Sequence, residues 1–183
     1  MLIGLTGTIG AGKGTVADYF EKKGFRHISV SGFLAEEAAR RGKAATRVER
    51  RELGNEYRAR GKDALIEAVL ADLNPFKENI VVESLHTVAE VEYVQYLGGK
   101  VIAVDAPLEV RWKRVRARGG EKDSDSYDAF VAEQNRQMAS DNQNENNLRA
   151  AMEVADFRIE NAGSEVELFK KLEALPGLLS ENP

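Results

Sequence analysis

The stretch LIGLT at residues 2–6 runs straight into GTIGAGKGT at 7–15, and VADYFEKKG follows with its apolar residues at helical spacing. A strand that turns through a glycine loop into a helix is the context that a phosphate-binding loop requires, so this feature constrains the fold more than any other. Glycines 7, 10 and 12 let the backbone turn back and aim several N–H groups at one anion, while the helix start adds partial positive charge. Lys13 is spaced to reach the β and γ phosphates of ATP. The match to G-x-x-x-x-G-K-[ST] departs at one place: Gly14 stands where a hydroxyl usually binds Mg2+. Thr15, one position later, is expected to face a phosphate oxygen, so Mg2+ must be held by ATP oxygens, water and a carboxylate elsewhere. Gly7, Thr8, Ile9, Gly10, Ala11, Gly12, Lys13, Gly14 and Thr15 form the expected ATP site.

Beyond the loop, short apolar runs alternate with longer helix-period segments, the pattern of a parallel sheet wrapped by crossover helices. Strands are predicted at Leu2–Thr6, Arg26–Ser29, Asn79–Glu83, Lys100–Asp105 and Phe157–Glu160, each of them buried. Helices are predicted near Gly12–Lys23, Ser31–Arg41, Thr46–Arg60, Lys62–Leu73, Thr87–Leu97, Pro107–Arg118 and Ser164–Leu175, with breaks at Asn74-Pro75, Gly98-Gly99 and Gly119-Gly120. A chain of 183 residues suits one domain, 1–183. Two stretches look inserted: a basic arm for the acceptor within about 31–73, and a polar, loop-rich lid over about 119–147.

Composition narrows the partners. The net charge of −4 offers no bulk attraction to nucleic acid or to an anionic membrane. Without cysteine there is no disulfide or thiolate chemistry, and two histidines cannot build a histidine-rich zinc site. No apolar run is long enough to span a membrane and no cleavable leader is visible, so a cytoplasmic protein, monomer or homodimer, is expected.

The G-K-G-T ending resembles the adenylate kinase group of nucleoside monophosphate kinases, whose loop also lacks the hydroxyl after lysine; Ile9 replaces a proline of that group. HISVSGFL at 27–34 is similar to its H-I-S-T-G-D-[ML]-L. PLEVRWKRVRAR at 107–118 places Arg114 and Arg118 at the spacing of the paired arginines that open the adenylate kinase lid. ADFRIENAGSEVEL resembles a segment of dephospho-CoA kinases and of an uncharacterised archaeal family of adenylate-kinase-like proteins, which the whole chain looks most like. The resemblance implies a P-loop kinase three-layer sandwich with a five-stranded parallel sheet in order 2-3-1-4-5. It implies that Arg114 and Arg118 hold the transferring phosphoryl group, a role that two guanidinium groups four residues apart on one helical face can perform. Asn161 either borders the adenine or shapes a turn before Gly163.

Glu83, closing the third apolar run, is the expected Walker-B-type carboxylate, through a Mg2+-bound water or as the group that orients the acceptor. His86 follows closely and either touches phosphate or acceptor or is structural. Ser31 and Gly32 open the acceptor helix, and Arg47, Arg51 and the lid residue Arg136 are candidate acceptor ligands. Two acceptor arginines of the adenylate kinases are absent: Ala35 stands at one place, and ESLHT at 83–87 replaces the motif that carries the other. Trp112, between Leu108 and Val115, is expected in the core. These residues suggest ATP- and Mg2+-dependent phosphoryl transfer to a small phosphorylated acceptor such as a nucleoside monophosphate. Dephospho-CoA phosphorylation and a nucleotide-dependent switch or accessory ATPase are the alternatives.

Overall fold

Strand placement follows the apolar runs. In the computed structural model, which describes residues 1–119, 126–140, 142 and 144–178, the strands are β1 (Leu2–Gly7), β2 (Arg26–Ser29), β3 (Ile80–Leu85), β4 (Lys100–Asp105) and β5 (Phe157–Glu160). All pairings are parallel and the order is β2-β3-β1-β4-β5, as expected. The helices are α1 (Lys13–Lys22), α2 (Val30–Arg40), α3 (Arg47–Arg60), α4 (Ala64–Leu70), α5 (Val88–Tyr96), α6 (Leu108–Arg118), α7 (Tyr127–Met138), α8 (Leu148–Glu153) and α9 (Glu165–Glu173).

Alternation along the central strands builds the three layers. Ile3, Leu5, Val81, Ile102 and Val104 point to one face and pack with Val16, Phe20, Leu168 and Leu172 of α1 and α9. Leu2, Ile80, Val82 and Val101 point to the other, against Leu34, Leu53, Ile66, Val91 and Val94 of α2 to α5. Side chains buried on both faces explain why the central strands read as continuous apolar runs. Each large aliphatic side chain so enclosed contributes about 1.5–3 kcal/mol.

Three expectations need correction. The strands β2 and β5 are not fully buried, because they are the sheet edges; Arg26 and Glu160 are exposed. The segment expected to be loop-rich contains α7, a three-turn helix N-capped by Ser126 and anchored by the buried Phe130, and α8 follows it. Of the expected lid, residues 120–125, 141 and 143 lie outside the described residues. Trp112 is half-buried between α6 and α7, 5.7 Å from the Tyr127 ring and 5.5 Å from Phe130, instead of joining the sheet core.

Candidate active site

Strand β1 delivers the loop at the centre of the sheet, at the carboxyl ends of the strands, where open α/β sheets bind ligands. Gly7 has φ 141°, and a Cβ there would run into the Val104 carbonyl of β4. Gly12 N-caps α1 in the left-handed region at φ 99° without a side-chain cap, whereas Ser29, Thr46, Thr87, Ser126, Asn147 and Ser164 cap α2, α3, α5, α7, α8 and α9. Among the described residues, the first amide of α1 with a main-chain acceptor is Val16, 3.2 Å from the Gly12 oxygen. The Ala11 amide is taken by the Thr8 carbonyl at 3.2 Å, and those of Lys13, Gly14 and Thr15 at the start of α1 are open to an anion.

The loop is braced from behind. Asn161, following β5, donates from Nδ2 to the Ala11 carbonyl at 2.8 Å. Arg114 donates to the same carbonyl and to Asn161 Oδ1, each at 3.4 Å. Thr8 Oγ1 donates to Asp105 Oδ1 at 2.5 Å, and the buried Arg111 donates to the Ile9 carbonyl at 3.2 Å and to Ala106 O at 2.7 Å. Gly14 is exposed and Thr15 half-buried; a Cβ on Gly14 would meet nothing within 4 Å, so packing does not demand glycine there.

Lys13 donates to Gly7 O at 2.8 Å and Thr8 O at 3.0 Å. Burial brings its pKa down to about 8; Glu83 opposes this, while Arg111 and Arg118 add to it. Glu83 closes the straight part of β3 and accepts a hydrogen bond from His27 Nε2 on β2 at 3.1 Å. Burial alone would raise the Glu83 pKa, yet the His27 hydrogen bond and the Lys13 charge hold it below the usual carboxylate range. The same hydrogen bond raises His27. Ser84 comes next in the left-handed region at φ 77°, where the pairing of β1 with β3 skips a residue: Leu5 faces Glu83 and Thr6 faces Leu85. Such a bulge bends the strand locally. His86 is pushed down to about 3, by burial first and then by Lys13 and Arg58, so its ring is neutral at neutral pH.

The loop and the arm face one another across a cavity of about 790 Å3. Ile9, Gly10, Lys13, Glu83, Ser84, His86 and Arg118 line one side; Ser31, Arg47, Arg50, Arg51 and Arg58 line the arm side, and Glu133, Arg136 and Gln137 of α7 border it. Of the residues singled out in the sequence, Lys13, Glu83, Ser31, Arg47, Arg51, His86, Arg118 and Arg136 therefore converge. Gly32 lies beside the cavity with its amide held by Ser29 Oγ at 3.1 Å, and Arg114 and Asn161 stand behind the loop. Arg136 pairs with Glu133 at 2.5 Å, and Arg47 lies 3.9 Å from the same carboxylate.

Sequence reasoning missed several residues of the site. Arg50 and Arg58 stood among the arginines of the arm without being singled out; Arg50 lies one turn from Arg47 and lines the same cavity. Arg58 is buried and donates to the fully buried Glu90 at 2.8 Å. Glu90 also accepts the amides of His86 at 2.6 Å and Thr87 at 3.2 Å, and Arg58 reaches the Asn144 carbonyl at 3.4 Å. Asp105 carried no motif, and His27 and Arg111 lay inside HISVSGFL and PLEVRWKRVRAR without an assigned role; for Arg111 the signal was that it shares the Arg114 face at i, i+3.

Among the described residues, no helix is long and apolar enough to cross a membrane, and no group of three or more His, Asp or Glu side chains is placed to hold a metal. Of the three carboxylates in the cavity wall, Glu83 is the one on the phosphate-loop side, and together with phosphate oxygens and water it would make an all-oxygen donor set that fits Mg2+.

Comparison with known proteins agrees with this architecture. The AAA domain family model matches residues 3–137. A UPF0200 protein of Methanothermobacter thermautotrophicus is 30% identical over 186 residues, covering 99% of this chain and 92% of that protein. A UPF0200/UPF0201 protein of Archaeoglobus fulgidus is 31% identical over 179 residues; the match covers 94% of this chain and 54% of that longer protein. Among solved structures, a Thermus thermophilus protein superposes with TM-score 0.64 at 22% identity, over 99% of this chain and 98% of that one. Shikimate kinase from Bacteroides thetaiotaomicron does so with TM-score 0.57 at 20% identity, over 96% and 99%. The fold is thus shared with small P-loop kinases, and the chain, carrying the AAA domain, belongs to the UPF0200 family.

Proposed function

We propose that the protein is a Mg2+- and ATP-dependent phosphotransferase whose acceptor is a small phosphorylated molecule, a nucleoside or deoxynucleoside monophosphate in the simplest case. The observation that carries this reading is the shared cavity. An uncapped helix start with Lys13 lies on one side, an arginine-lined arm lies on the other, and Glu83 stands on the loop side.

The residues divide the work. The loop amides and Lys13 hold the donor phosphates; Arg118 reaches the cavity and offsets charge on the moving phosphoryl group. Arg114, occupied by Ala11 and Asn161, keeps the loop in shape. Bound Mg2+ would neutralise the donor phosphates, with Glu83 as the protein group nearest to hold it through water. In the transfer the bond from the γ phosphorus to the ADP oxygen breaks as a bond to the acceptor oxygen forms. If that oxygen belongs to a phosphate it is already anionic, so no base is needed and catalysis is positioning and charge stabilisation. The neutral His86 adds no charge beside it.

The test is a panel of ribo- and deoxyribonucleoside monophosphates, with dephospho-CoA and a control without acceptor, assayed for phosphorylated product and ADP with ATP and Mg2+. Acceptor-dependent ADP formation is expected. Equal ADP formation without any acceptor assigns an ATPase instead, and product from dephospho-CoA alone assigns that acceptor. Lys13→Ala is expected to stay folded and to lose about a hundredfold or more in turnover, the scale of losing a charge-stabilising donor. Near-wild-type turnover in that variant would sink the mechanism.

A further inference from the structure

Arg50 is 7% exposed, and its guanidinium is directed at the cavity between the arm and the phosphate loop. Its partners among the described residues are neutral oxygens: Nη1 donates to Ser31 Oγ at 3.0 Å and Nε to Thr46 O at 3.3 Å. No carboxylate of the described residues pairs with it. Arg51, the next residue and also on the cavity wall, makes no hydrogen bond or ion pair within the described residues. The acids that line the same cavity are engaged elsewhere: Glu83 by His27, Glu133 by Arg136 and Glu145 by Ser140. Burying a charge without a partner costs several kcal/mol, which makes such a group rare unless something outside the chain completes it. Burial and the nearby Arg47 lower the Arg50 pKa, in keeping with the missing counter-charge.

We propose that Arg50, Arg51 and Ser31 form the seat of a phosphomonoester group that the acceptor carries before transfer. This rests on the phosphotransferase reading above and names the group that the arm recognises. Two fixed guanidinium charges match a dianion, and a planar fork of donors matches its oxygens; a carboxylate would leave one charge uncompensated. Ser31 adds a hydroxyl in the first turn of α2, whose helix start favours negative charge. Beside this seat the wall is apolar, made by Val30, Leu34 and Gly54, so the rest of the acceptor can present a flat, weakly polar face. A Cβ at Gly54 would press on Arg58 Nη1 at 3.2 Å while making only ordinary contact with Leu34 at 3.5 Å.

The seat can be tested apart from the reaction. With the donor site filled by a non-hydrolysable ATP analogue and Mg2+, inorganic phosphate and acetate are titrated by calorimetry. Phosphate is expected to bind at least about tenfold more tightly than acetate, and Arg50→Met to weaken phosphate binding about tenfold or more. Arg50→Lys, which keeps the charge but not the fork, is expected to weaken it about threefold or more and serves as the second variant. The affinity for the ATP analogue should stay within about twofold, since Arg50 belongs to the opposite side of the cavity. Unchanged phosphate affinity in both folded variants overturns the proposal, as does acetate binding as tight as phosphate. Loss of phosphate binding alongside a failed acceptor panel keeps the seat and removes the kinase reading; turnover with unchanged phosphate affinity does the reverse.

Discussion

Burial draws the Lys13 pKa down to about 8 from its ordinary 10.5, and phosphate oxygens brought within reach would draw it back up. Between those two values the unfolded chain keeps a proton that the folded chain has released. This group's contribution to stability therefore rises with pH through that window. For binding the sign is opposite: at pH about 9, where ATP is fully ionised, nucleotide binding is expected to take up as much as about one proton. Calorimetry in two buffers of different ionisation enthalpy measures that number, and Lys13→Met should abolish it; equal heats in both buffers for the wild type contradict the account. The lysine was legible in the sequence because the loop's geometry is contiguous, with every partner of the motif inside nine residues. Arg50 was not, since nothing local separates a buried arginine from the solvated ones on either side of it.

At the scale of elements, Arg58 and Glu90 join α3 to α5 across the acceptor side of the sheet. Because Glu90 also holds the amides that start α5, and Arg58 reaches the Asn144 carbonyl, the pair fixes the arm, the β3–α5 turn and the chain around residue 144 relative to one another. Removing one partner leaves a buried charge alone: Arg58→Met or Glu90→Leu is expected to cost about 3–5 kcal/mol. The double substitution should cost less than the sum of the two. Urea unfolding of the four proteins in the cycle measures this, and additive losses contradict the coupling. The strands were readable because burial on both faces writes itself as an apolar run. The helix α7 was not, since the described structure buries one residue of it, Phe130, and such an anchor leaves almost no periodic signal. The pair itself spans 32 residues, and nothing near its glutamate in the sequence points to an arginine so far along the chain.

The whole molecule carries a net charge of −4, yet its central cavity is lined by seven cationic side chains and three carboxylates. Composition therefore pointed away from a bulk anion-binding surface and was silent about a local one, which exists only once α2, α3, α6 and α7 enclose a common space. Such a field draws anionic ligands towards one opening and weakens as salt shortens its reach, from about 10 Å at 0.1 M to about 3 Å at 1 M. The KM for an anionic acceptor is accordingly expected to rise about threefold or more between 50 and 500 mM NaCl, with kcat changing far less. A KM indifferent to salt would place recognition elsewhere.

The contact between Asn161 and Ala11 joins the last strand to the first loop, across 150 residues of chain. Synthesis from the N-terminus therefore delivers the phosphate loop early but its brace late. The strand before the loop first waits for β3 and β4, its neighbours in the sheet, and the loop then waits for residue 161. At about 5–20 residues per second, a ribosome-bound chain spends about 8–30 seconds between the loop and its brace with no braced site to hold nucleotide. The stretch of sequence that announces the fold most plainly is thus among the last to become functional.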